Sequence, residues 1–416
     1  MTTTFLVLGC LGAALVVNAW RPLRLVVVSV PVMFAGWLTA ELAPALLAIH
    51  LGVSAWFIVA GAVAGWQGWV ALGLSLAIGG GLAMIIAEAM RGKHVVEEAL
   101  RQGLGHDYLM EIEPRAPYDD HIPLRHLILP FWLWRTDVRR HRSIPYGPVR
   151  RRNLLDVYTS KHPTSNSPVL LYIHGGGWSS VSNKNHQGKP LMLHLASRGW
   201  VCVAINYSLS PRATFPAHLI DCKRALAWIR AQIHDFGGDP SFVVVTGGSA
   251  GGHLSALTAL TPNQPEYQPG FEHVDTSVAA CVPSYGVYDW TPDSGIKLQD
   301  KRRTFFERVI LKVKHADDPD AFIKASPHHQ IKQNIPPFFV IHGGNDTLVD
   351  VREGRAFVER LHEASTEPVV YAELDRTQHA FDVFHSIRTT HVVHGIERFC
   401  DWVHGRTVRA REEEPA

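Results

Sequence analysis

Phe242-Val243-Val244-Val245-Thr246-Gly247-Gly248-Ser249-Ala250-Gly251-Gly252 decides how this chain is read. Residues 242–246 form the near-continuous apolar, β-branched run of a strand buried on both faces of a parallel sheet. G-x-S-x-G follows at once, and residues 253–260 read as a helix. A turn this tight leaves Ser249 exposed at a helix N-terminus. Glycines flank it because a Cβ would not clear the neighbouring strand and helix. The stretch predicts a mostly parallel sheet flanked by helices, with a nucleophile at one strand end.

Three further loops follow strand-like runs. Residues 169–173 are apolar on both faces and lead into His174-Gly175-Gly176-Gly177-Trp178. Consecutive glycines let backbone N–H groups point at a substrate, as the oxyanion of acyl transfer requires. Residues 338–341 run into His342-Gly343-Gly344-Asn345-Asp346, and residues 369–373 precede Gln378-His379-Ala380-Phe381. An activated serine needs a histidine base, and that base needs a carboxylate to hold its tautomer. The order Ser249, Asp346, His379 supplies nucleophile, acid and base. With 24 histidines in the chain, one histidine alone is a weak signal; four features at four strand ends are not. Asp350 reads instead as the cap of a helix starting near Val351. Strands are also predicted at 201–206 and 279–282, and helices at 217–232, 353–363 and 391–403. Residues 290–335 fit no strand rhythm and read as a lid-like insertion near the site.

Farther out, the composition divides. The chain has 40 basic and 38 acidic residues, but only Arg21, Arg24, Glu41 and Glu88 are charged within residues 1–90. A net charge of +2 excludes a nucleic-acid binder acting by bulk positive charge, and no nucleic-acid partner is expected. Residues 1–90 predict three to four transmembrane helices: apolar runs at 5–20 and 25–40, then two spans within 42–87 turning at Trp66-Gln67-Gly68-Trp69. The expected localisation is a multi-pass membrane protein. With three spans the Arg21/Arg24 loop and the Arg91/Lys93 flank share one side, which the positive-inside rule makes cytoplasmic. Four spans would separate them, so the side of the catalytic domain stays open, leaning cytoplasmic. Residues 91–142 read as a juxtamembrane connector with a helix at 94–102. Residues 121–152 carry eight arginines against one aspartate, beside Phe131, Trp132 and Trp134, which suits a bilayer surface with membrane lipid as partner. The catalytic domain is expected at 143–405 and a frayed charged tail at 406–416. Five scattered cysteines without C-x-x-C read as free thiols.

The HGGGW loop, Asn206-Tyr207-Ser208-Leu209-Ser210-Pro211, Phe215-Pro216-Ala217, the GGSAGG elbow, Asp346 and His379-Ala380-Phe381 resemble the hormone-sensitive-lipase-like esterases of the α/β-hydrolase superfamily. The likeness covers about residues 143–405, and the apolar N-terminus looks like that of actinobacterial membrane-anchored carboxylesterases and lipases. It implies an α/β-hydrolase fold and a serine carboxylesterase or lipase acting on a small-molecule or lipid-like acyl ester. The triad would be Ser249, Asp346 and His379, with oxyanion donors on the backbone N–H of Gly176, Gly177 and Ala250. No cofactor and no metal are implied, and the oligomeric state is left open. Ser208 and Arg212 replace the Arg and Glu of the usual N-Y-R-L-A-P-E stretch, which questions a bracing salt bridge there. A serine peptidase or amidase on the same fold, and a non-catalytic binding protein, are the alternatives. The first usually carries a large β-propeller, and the second typically lacks the base.

Overall fold

The computed structural model describes residues 1–25, 28–115, 117–162, 165–179, 182–292, 295–296 and 302–413. Eight strands form one sheet in the order β1-β2-β4-β3-β5-β6-β7-β8. They are β1 (Val138–Pro145), β2 (Leu154–Ser160), β3 (Ser167–Ile173), β4 (Val201–Ile205), β5 (Gly238–Gly248), β6 (Ala280–Ser284), β7 (Phe338–Gly343) and β8 (Val369–Leu374). From β4 to β8 every pairing is parallel, whereas β1 with β2 and β2 with β4 run antiparallel. All six predicted strands exist, and every residue of β3 is buried, as a doubly covered strand demands. The antiparallel edge went unread. β1 is Val-Arg-Arg-His-Arg-Ser-Ile-Pro, with one face in water, and its charges disguise it as connector. The sheet thus begins at Val138, ahead of the expected start at 143.

Helices cover both faces. The helix Ala217–Gln232 has the predicted bounds. The last helix, Ile387–Glu413, runs through the expected frayed tail, because Arg406 pairs with Glu367 at 2.8 Å and Arg411 with Asp239 at 3.3 Å. Residues 414–416 lie outside the described residues. So do 293–294 and 297–301 of the insertion, whose Trp290, Phe306, Ile310 and Phe322 are buried in the main core.

The apolar N-terminus folds as α1 (Thr2–Trp20), α2 (Ser29–Glu41), α3 (Ala43–Val59) and α4 (Gly65–Leu104). Of the predicted run 25–40, residues 26–27 lie outside the described residues. α1 and α4 are each long and apolar enough to cross a membrane. α2 and α3 meet at 81°, so among the described residues the candidate spans number two, or three if the bent pair counts as one, rather than four. Pro44 in the first turn of α3 explains the break, since its ring cannot continue α2. The second turn falls at residues 60–64, where Gly61 takes φ 75°, and not at Trp66–Trp69. Both tryptophans sit, exposed, in the first turns of α4.

The 40 residues of α4 extend about 60 Å. Its apolar half belongs with α1 and α3. Its charged half absorbs the predicted separate helix at 94–102 and packs on the sheet. Val96, Ala99 and Leu100, with Tyr108 and Ile112 from the connector, share one core with Phe339, Val370, Phe399 and Trp402. Four of the five free cysteines are buried; Cys10 is exposed on α1.

Candidate active site

The strand-to-helix turn after β5 holds Ser249 at φ 58°, ψ −120°, a conformation that a non-glycine residue keeps only under constraint. Its N–H donates to the Ser284 carbonyl at 3.0 Å, and the helix Ala250–Leu260 begins at the next residue. A Cβ on Gly251 would run into the Ile173 carbonyl, which is why the helix can start so close to β3. β7 and β8 are neighbours in the sheet, so their following loops meet. There His379 Nε2 lies 2.9 Å from Ser249 Oγ, and His379 Nδ1 lies 2.6 Å from Asp346 Oδ2. This pairing asks for the proton on Nδ1, leaving Nε2 to accept from the serine hydroxyl. All three residues named from the sequence come together.

Asp346 is buried, and its other oxygen accepts the amides of Leu348 at 2.8 Å and Val349 at 2.7 Å. Burial alone would push its carboxyl up. The His379 charge, with hydrogen bonds from His342 and His379, outweighs burial and holds it well below the usual carboxylate range. Asp350 takes the other part assigned to it: it caps the helix Val351–Ala364 through the Arg352 amide at 3.1 Å.

The glycine loop after β3 passes over the serine. Gly176 takes φ 110°, a region closed to other residues, and Gly177 follows at 62°. Gln187 Oε1 accepts the Gly175 amide at 2.7 Å, and Tyr207 donates to the His174 carbonyl at 3.0 Å. Asn206 Oδ1 accepts the Lys184 amide at 2.8 Å. The Asn206-Tyr207 pair therefore braces this loop, and Asp221 holds the Ser208 amide at 2.8 Å where the usual arginine is missing. Trp178 Nε1 donates to His253 Nδ1 at 3.0 Å, and His253 Nε2 meets the Ala325 carbonyl at 2.7 Å. Burial lowers His253 to about 3, so this ring is a neutral brace rather than a second base.

Ser249, His379, Gly176 and Gly177 open into a cavity of about 1800 Å³, its open mouth included. Ala250, the third amide named, is the buried first residue of the helix after the serine. Arg302, Phe305 and Phe306 from the insertion line the cavity. The opposite wall is α2, through Val30, Met33, Phe34 and Trp37. Sequence reading missed this wall. Its one signal was the run 25–40, about 16 residues and thin for a span, which stops just before Glu41. α2 is docked by polar contacts: Glu41 pairs with Arg388 at 3.1 Å and accepts from Ser386 at 2.7 Å, both inside the protein. Thr347, next to the acid, donates to the Ser29 carbonyl at 3.3 Å, and Asn345 caps α1 at the Ala19 carbonyl at 3.1 Å. The connector's Phe131 packs on Phe384 at 4.7 Å, outside the cavity.

The family pattern described as BD-FAE matches residues 155–361. "Probable carboxylic ester hydrolase LipM" of Mycobacterium tuberculosis is 48% identical over 288 residues, covering 67% of this chain and 65% of that protein. "Esterase LipQ" of the same organism is 44% identical over 272 residues, covering 65% and 64%. The chain thus spans about 65% of the length of these relatives. Among solved structures, an inhibited esterase B from Lactobacillus rhamnosis superposes with a TM-score of 0.56 at 20% identity. That match covers 67% of this chain and 91% of the other, and it bears on the fold alone. The sheet order, the serine elbow and this structural likeness give the chain an α/β-hydrolase fold, and in sequence it is similar to the carboxylic ester hydrolase LipM and the esterase LipQ.

Proposed function

We propose that the chain is a membrane-anchored serine carboxylesterase or lipase. The observation that carries this reading is the relay Ser249 Oγ to His379 Nε2 at 2.9 Å and His379 Nδ1 to Asp346 Oδ2 at 2.6 Å. Ser249 Oγ attacks the ester carbonyl as its proton passes to His379 Nε2. The carbonyl oxygen becomes an oxyanion facing the amides of Gly176, Gly177 and Ala250. Collapse expels the alcohol, which takes the proton from His379. Water then gives His379 a proton, attacks the acyl carbon, and releases the acid and free Ser249. Asp346 stays ionised and holds the imidazole.

The natural substrate in this reading is a lipid-like acyl ester that reaches Ser249 from the membrane. The wall supplied by Val30, Met33, Phe34 and Trp37 supports it, because an apolar helix of the anchor faces the acyl path. In this reading the domain lies at the cytoplasmic end of three spans, α1, α4 and the bent pair, whose α2 half turns aside to wall the cavity. Arg376 stacks on Trp20 at 4.0 Å and pairs with Glu88 at 3.2 Å, so the end of α1 and the basic flank of α4 meet the domain at one level. The test is labelling by a fluorophosphonate, which requires an activated serine. Full-length protein should label and Ser249→Ala should not; an unlabelled wild type overturns the reading.

A further inference from the structure

A second, smaller cavity of about 450 Å³, its open mouth included, lies between the connector and the last helix, away from Ser249. Arg125, His126, Arg135, His194, His385 and His394 line it, with Trp132 and Trp134 beside them. The rings of His126 and His385 stack at 3.7 Å and 6°, and those of His194 and His394 lie 5.1 Å apart. Three carboxylates are near, and all are taken: Asp120, which acts on His394, holds Lys93 at 2.9 Å and also Arg398. Asp137 holds Arg135 through two hydrogen bonds of 3.0 and 2.7 Å. Glu397 holds His194 at 2.7 Å and Arg198 at 2.5 Å. Arg125 is exposed and has no ion-pair partner among the described residues.

Such a lining is short of negative charge. Burial first, then the neighbouring cations, lower His126 to about 3 and His385 and His394 to about 4. These rings are neutral in the empty cavity, each offering one N–H donor. A metal does not suit the arrangement, since no three His, Cys, Asp or Glu side chains among the described residues could hold one. An anion does, because guanidinium and imidazole N–H groups form charge-assisted bonds to phosphate oxygens. The rim adds a second feature. Phe131, Trp132 and Trp134 are 62, 63 and 66% exposed, an apolar shoulder beside a basic pocket. Trp37 of α2 and Phe131 both pack on Phe384, so this shoulder adjoins the anchor.

We propose that this cavity is a binding site for a phosphate-bearing group, presented at the membrane face and independent of the ester-cleaving site. Two sources share that chemistry, an anionic lipid headgroup and a free phosphate.

The experiment uses full-length protein in neutral detergent, titrated calorimetrically with short-chain phosphatidylglycerol, with short-chain phosphatidylcholine and with inorganic phosphate. Variants are Arg125→Gln, whose exposed side chain has no structural partner to lose, and His385→Asn. Fluorophosphonate labelling of Ser249 checks that each variant is folded. Phosphatidylglycerol should bind more tightly than phosphatidylcholine, and each variant should weaken it about tenfold, the loss of one charge-assisted bond. If inorganic phosphate binds as tightly as the lipid and shows the same loss, the proposal stands with free phosphate as source; phosphate much weaker than the lipid makes the headgroup the source. Binding equal in wild type and both variants, phosphatidylcholine bound as tightly as phosphatidylglycerol, or no binding of phosphatidylglycerol or inorganic phosphate at millimolar concentration, overturns it.

Discussion

Asp346 divides its two oxygens, one to the backbone of its own loop and one to His379. The backbone pair fixes the carboxylate, so its direction toward the imidazole does not depend on substrate. Asp346→Asn leaves that frame in place but offers an N–H to His379 Nδ1, favouring the wrong tautomer. A loss of about 10⁴-fold in kcat is expected, against less than about tenfold for Asp350→Asn, whose role is a helix cap. Nitrophenyl ester kinetics on both variants check this, and the reverse ranking would move the acid. Ser249→Ala should lose about 10⁴-fold or more. Adding His379→Ala should remove little further, because the residues act as one unit. A pH effect follows from the same carboxyl. Its folded-state pKa lies below its unfolded value near 4, so it stabilises the fold above that value. This contribution fades as pH falls through the folded value. The Tm gap between wild type and Asp346→Asn should therefore narrow below about pH 4, and a gap that widens on acidification contradicts the assignment.

β7 and β8 end side by side, and this adjacency brings an acid and a base 33 residues apart in sequence to 2.6 Å. Elements of this kind were legible because β-branched runs buried on both faces can hardly be anything else, and because glycine loops mark where they end. β1 was not, since an edge strand carrying arginines has the composition of a linker. α2 failed to show for a different reason: an apolar stretch looks the same whether it faces lipid or a pocket. Only a contact can tell the two apart, and the contact is Glu41 with Arg388, which are 5% and 2% exposed. Removing one partner of a buried pair leaves the other charge unpaired, at about 3–5 kcal/mol. Glu41→Ala should lower Tm and loosen α2, reducing long-chain ester turnover more than acetate turnover. Met33→Trp, which narrows the cavity from the α2 side, should lower the rate on an octanoate ester at least tenfold relative to acetate. An unchanged chain-length profile in both would show that α2 does not shape the acyl path.

Across the whole molecule, the division expected near residue 90 does not hold as a division in space. The candidate site residues and the parallel sheet could be read locally, but the joint between the N-terminal helices and the sheet could not, because it depends on pairs some 300 residues apart. Val96, Ala99, Leu100, Tyr108 and Ile112 complete the core on the β8 side, and Arg398 binds Glu97 at 3.1 Å. A chain beginning at Val138 would expose that apolar face. It should be recovered as aggregate, whereas the full chain in detergent stays monodisperse by size exclusion; a soluble, active fragment would refute this. The 60 Å run of α4 also sets an order of events in the cell. In the membrane-anchored reading proposed above, its apolar half leaves the ribosome and enters the bilayer long before residues 387–413 exist to close over its other half. Until then its polar half waits as an open template beside the membrane. Maturation is thus timed by completion of the C-terminus, and a stalled or shortened chain would be an inserted, unclosed protein for quality-control proteases to clear.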